Sequence, residues 1–68
     1  MKFKDGEEVQ GICFSDDSII KVGEGPCDNI TVSMENGQMA EVPWFEVWVD
    51  GKVISKWNGA QIDGVLFE

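Results

Sequence analysis

Apolar and polar positions alternate along much of this chain with the period of a strand. Ile30, Val32 and Met34 are interleaved with Asn29, Thr31, Ser33 and Glu35, which predicts a strand with one apolar and one polar face. Asn36-Gly37 follows. Both residues tolerate positive φ, so a two-residue hairpin loop is expected there, pairing Met34 with Met39 and Thr31 with Val42. The return strand covers residues 38–42. Pro43 then interrupts it as a bulge, a bend or an edge position, because proline donates nothing to a ladder. Residues 44–49 form the next strand, composed mainly of aromatic and β-branched side chains, as strands prefer. Asp50-Gly51 is a second hairpin turn, and residues 52–57 return from it. A two-residue loop pairs Trp48 with Val53 and Trp44 with Trp57. It is the preferred register because it places Trp44, Trp48, Val53 and Trp57 on one face and Phe45, Val47 and Ile54 on the other. The competing register, with a glycine bulge, shifts the pairing by one and reverses the faces of the second strand.

Residues 8–14 read as a first strand weakened at Gly11, Ser15-Asp16-Asp17 as a turn, and residues 18–22 as a second strand. Gly23-Glu24-Gly25-Pro26 is a loop by its punctuation. Toward the other end, Asn58-Gly59-Ala60-Gln61 suits a single helical turn near residues 58–62, with Asn58 as cap and Gln61 reaching back to it. Residues 65–67 are a short closing strand. The expected fold is therefore all-β: a small antiparallel barrel or sandwich of about five to six short strands, joined by connections too short for parallel neighbours. With 68 residues, the chain has room for one domain, residues 1–68. Tight hairpins, one helical turn and a short closing strand resemble SH3-like and Sm-like small barrels. That likeness covers mainly residues 29–68. It implies an architecture and no function.

Charge narrows the choice of partner. Thirteen acids face five lysines, giving a net charge of −8, with no arginine, histidine or tyrosine. Without arginine the planar fork that grips phosphate bidentately is missing, and a polyanion is repelled, so direct nucleic-acid binding is not expected. An anionic membrane surface is disfavoured for the same reason. A protein partner is favoured, in particular a basic or nucleic-acid-handling one, because complementary charge accelerates encounter. In the alternative reading the negative charge only keeps a small β protein in solution. Two lysines at the start with no apolar run behind them make no secretory signal, so a cytoplasmic protein is the expectation.

Catalysis is not expected. Histidine, the commonest general acid–base, is absent, which removes the usual serine or cysteine triads. Carboxylates such as Glu46 and Asp50 rarely find, in so short a chain, a cleft that shifts their pKa values. Gly23-Glu24-Gly25-Pro26 lacks the strand–helix context of a nucleotide fingerprint. Asp16, Asp17, Ser18 and Asp28 carry oxygen ligands but not the twelve-residue calcium loop, and Asp-Asp in a turn more often caps backbone N–H groups. No metal and no cofactor are expected. Cys13 and Cys27 fit no metal spacing. A disulfide between them would close a loop of about 15 residues, worth ~3 kcal/mol in the chain-entropy model; without a sign of export, two reduced thiols are the preferred reading.

The tryptophan strand carries the functional expectation. Both of its faces are apolar: Trp44 and Trp48 on one, Phe45, Val47 and Val49 on the other. In one reading Trp44, Trp48 and Trp57 form a core that compensates for small size. In the other they form an interface, homo-oligomeric or heterologous, because tryptophan buries a large area with few rotamers to freeze. Glu41, Glu46 and Asp50 then supply an acidic rim. The leading function is a non-enzymatic protein-binding or inhibitory module. The alternatives are a self-assembling virion or scaffold subunit and a small-ligand binder at a subunit interface. A short, acidic, Trp-rich chain with a segment such as Val42-Pro43-Trp44-Phe45-Glu46-Val47-Trp48 is similar in texture to small accessory proteins of bacteriophages and prophages. That resemblance implies a virion accessory protein, or an inhibitor of a host or defence enzyme acting in the host cytoplasm.

Overall fold

The computed structural model describes residues 3–67. They form seven antiparallel strands and one 3₁₀ turn: β1 (Glu8–Val9), β2 (Gly11–Cys13), β3 (Ile19–Lys21), β4 (Asn29–Asn36), β5 (Glu41–Val49), β6 (Lys52–Asn58), the turn Gly59–Gln61, and β7 (Gly64–Leu66). Two sheets result, one ordered β1-β4-β5-β6 and the other β3-β2-β7. The expected all-β antiparallel fold is present, but the sheets do not close into a barrel. Lys2, among the cations of the sequence, lies outside the described residues.

Residues 8–14 are not one strand. The chain bends at Gln10, whose N–H donates to Leu66 O (2.8 Å) and whose carbonyl accepts from Val22 N (2.9 Å). β1 therefore pairs with β4 in the first sheet, while β2 pairs with β3 and β7 in the second. Gly11 permits this corner. A Cβ there would lie 3.0 Å from Leu66 Cδ1 and 3.1 Å from the Ile20 carbonyl oxygen.

The β4–β5 register differs from the expected one. Met34 lies opposite Pro43 and Thr31 opposite Glu46, with residues 37–40 as a four-residue loop. Burial explains the shift. A two-residue loop would set Val32 against Glu41 and Ile30 against Pro43. The observed register sets Ile30 on Val47 and Val32 on Phe45, all four of them buried. Met39, the expected partner of Met34, is left at the loop tip, 98% exposed.

Pro43 does not interrupt β5. The Met34 N–H points away from β5, to the Asp5 carboxylate (2.9 Å), so Met34 and Pro43 are a non-hydrogen-bonded pair. The missing proline N–H then faces the β6 side, where pairing has already stopped at Trp44–Asn58.

Asp50-Gly51 forms the expected two-residue loop, with φ of 51° and 75° and Val49 opposite Lys52. Two residues further on, Ile54 is bulged out: Trp48 pairs with Val53, but Val47 pairs with Ser55 and Phe45 with Trp57. One extra residue reverses the faces of the strand beyond it.

The 3₁₀ turn follows expectation closely. Asn58 Oδ1 accepts from Ala60 N and Gln61 Oε1 accepts from Asn58 N, each at 2.9 Å. The core is Val9, Ile12, Cys27, Ile30, Val32, Phe45 and Val47, drawn from both sheets and the loop before β4. Phe3 meets Phe45 edge-on, with ring centroids 5.3 Å apart.

Candidate functional site

Alternation along β5 sends Phe45 and Val47 into the core and Trp44, Glu46 and Trp48 to the opposite face. The second sheet packs on the core side through Ile12, so the tryptophan face is the outer surface of the four-stranded sheet. The register fixes its neighbours. Ser33 and Asn58 flank Trp44, Thr31 and Lys56 flank Glu46, and Asn29 and Val53 flank Trp48. Glu8 lies beyond Thr31 on β1.

Both indoles are half-buried and held from the side. Trp48 Nε1 donates to Thr31 Oγ1 at 2.8 Å, and that hydroxyl lies 3.5 Å from Glu46 Oε1. This satisfies the polar edge of Trp48 within the sheet and leaves an apolar ring at the surface. Lys56 reaches across Trp44: its ammonium lies 5.4 Å from the indole centroid and pairs with Glu35. Hydrogen bonding to Glu35, reinforced by the negative charges of Glu35 and Glu46, raises the Lys56 pKa above the ordinary lysine value.

Of the six residues singled out by sequence, the fold brings Trp44, Glu46 and Trp48 together. The other three lie elsewhere. Trp57 is carried to the core side by the Ile54 bulge; its ring packs on Phe14 at 4.9 Å and its Nε1 donates to Ser55 Oγ at 3.2 Å. Glu41 alternates with Pro43 and Phe45, off the tryptophan face, and borders a hollow of about 350 Å³ beside the 3₁₀ turn. Asp50 sits at the hairpin tip, where its N–H donates to Asp28 Oδ2 at 2.6 Å. In their place the face gains Glu8, Thr31, Glu35 and Lys56. The matching of apolar partners across β4 and β5 was the signal that locates Glu35 and Thr31.

A second surface feature left no signal in the sequence. An open groove of about 560 Å³ runs between β3 and β6, the facing edges of the two sheets. Ile19 and Ile54 stand on its two sides, 55% and 59% exposed, over a floor that includes Val47 and Leu66. Lys21 and Glu24 pair at 3.4 Å on its rim.

The acidic turns are occupied by backbone. Asp16 Oδ1 accepts from the Ser18 N–H and hydroxyl, and these bonds, the hydroxyl first, lower the Asp16 pKa. Asp28 holds the β5–β6 turn instead of joining Asp16. No group of three or more acidic or thiol side chains among the described residues gathers as metal ligands. Cys13 and Cys27 are free thiols. No helix among the described residues is long and apolar enough to cross a membrane. No protein-family model matches the chain, and no curated protein or solved structure matches it.

Proposed function

We propose that the chain is a non-enzymatic protein-binding module whose docking surface is the outer face of β4–β6, centred on Trp44, Glu46 and Trp48. The observation behind this reading is the pair of half-buried indoles four residues apart on one face of a central strand, with no second layer over them among the described residues. Tryptophan is enriched among the residues that dominate interface energetics. Glu8, Glu35 and Glu46 surround the rings by register, which suits a basic partner. The test is capture of a partner by the wild-type chain and by Trp48→Ala, with unfolding curves recorded for both. Retained folding with lost capture supports the reading; retained folding with undiminished capture overturns it.

The groove between β3 and β6 favours a second reading, self-association. Two free edges and two exposed isoleucines border one apolar hollow. Lys52, Lys56 and the Ile54 bulge work against it, since lysines and bulges are the usual devices that keep an edge strand from pairing. A sedimentation experiment at high protein concentration decides: a dimer abolished by Ile54→Ser supports self-association, and a strict monomer removes it.

A further inference from the structure

The tryptophan face already holds a cation of its own. Lys56 Nζ lies over the Trp44 indole and pairs with Glu35, so the site shows which chemistry it accepts: a positive charge on an aromatic face beside a carboxylate. We infer that Lys56 is an internal stand-in, and that the partner's docking element is a segment carrying arginine, whose guanidinium displaces Lys56 from Trp44 and Glu35. This deepens the proposed binding function and rests on it.

Three observations lead there. First, the charges on this face do not balance. Among the described residues, Glu8, Glu35 and Glu46 share it with one ammonium, that of Lys56, within a chain of net charge −8. A cationic occupant is complementary to such a surface, and a second copy of the same chain is repelled by it. Second, the internal contact is easily displaced. Lys56 is exposed on a flexible stem, and a solvent-exposed ion pair is held weakly. Third, guanidinium is the better ligand for this arrangement. It stacks on an indole and grips a carboxylate bidentately at once, whereas an ammonium is a hydrated point charge. These 68 residues contain no arginine, so no guanidinium of this sequence competes for the site. Glu46, between the two indoles, offers a second carboxylate, which accepts a long 3.5 Å contact from Thr31.

The proposal is tested on the full chain with three short peptides of one glycine–serine backbone, carrying four arginines, four lysines or four citrullines. Binding is followed at low salt through the indole N–H resonances of Trp44, Trp48 and Trp57. The arginine peptide is expected to shift Trp44 and Trp48 and leave Trp57 in place. The lysine peptide binds more weakly and the neutral citrulline peptide not at all. Lys56→Ser removes the competitor and tightens the arginine peptide by about two- to five-fold, the range of a surface cation–π contact; Glu35→Gln weakens it. A Trp44 signal that ignores the arginine peptide, equal binding of the citrulline peptide, or an affinity unchanged in Lys56→Ser overturns the inference. If capture of a natural partner depends on Trp48 but is unaffected by both Lys56→Ser and Glu35→Gln, the face binds proteins and the displaced-lysine mechanism is wrong. Salt-independent shifts spread over all three indoles would mark non-specific adsorption and also count against it.

Discussion

Cys27 and Cys13 illustrate how little of a residue's role is written in its type. Both are free thiols, yet Cys27 is buried in the core while Cys13 is only half-buried on β2. Burial raises the Cys27 pKa above the ordinary thiol value, and the negative charge of the neighbouring Asp28 adds to the shift. The fold therefore favours the neutral thiol. That contribution is complete below the ordinary thiol pKa and is lost as pH rises toward the folded value, so stability should fall in alkaline solution. Thiolate is the reactive form, and an alkylating reagent at neutral pH is accordingly expected to modify Cys13 well before Cys27, with Cys27 labelled only on unfolding. Mass-mapped labelling checks this, and equal rates at the two thiols would contradict the placement of Cys27. Trp57 makes the same point. Its type suggested company with Trp44 and Trp48, and one bulged residue sent it to Phe14 on the opposite side of the sheet.

At the scale of elements, short-range chemistry was legible and long-range register was not. The capping box at Asn58 and Gln61 and the Asp50-Gly51 loop depend on residues within three positions of each other, and both form as their chemistry dictates. Gly51→Ala, at φ 75°, is expected to destabilise the chain by about 1 kcal/mol, measured by denaturant titration. An unchanged midpoint would mean that the turn is not in the left-handed region. The Asn36-Gly37 signal was equally local, and it lost. Burying Ile30 against Val47 and Val32 against Phe45 outweighs a favourable two-residue turn, because each buried aliphatic or aromatic side chain is worth roughly 1.5–3 kcal/mol, more than turn preferences supply. The corner at Gln10 was hinted at by Gly11, whose lack of a Cβ allows Leu66 and the β3 backbone to approach. The bulge at Ile54 left no trace in composition, since nothing in the run Lys52-Val53-Ile54-Ser55-Lys56 distinguishes a bulged isoleucine from a paired one.

For the whole molecule, two open sheets leave two surfaces of different character. The tryptophan face is aromatic and carries the carboxylates of Glu8, Glu35 and Glu46. The groove between β3 and β6 is concave and aliphatic, with edge lysines beside it. Half of the candidate site was legible in the sequence, because Trp44, Glu46 and Trp48 lie on one strand and alternation alone groups them. Glu35 and Lys56 come from neighbouring strands, so their presence depended on registers that local signals did not set. We propose that the tryptophan face, and not the groove, is the surface that takes a protein partner. The most direct measurement is partner capture by three forms of the chain compared side by side: wild type, Trp44→Ala/Trp48→Ala, and Ile19→Ser/Ile54→Ser, each shown to be folded by its unfolding transition. Capture that survives in the isoleucine variant and disappears in the tryptophan variant is the predicted result. Capture that survives in the tryptophan variant and disappears in the isoleucine variant would overturn that proposal and move the binding site to the groove.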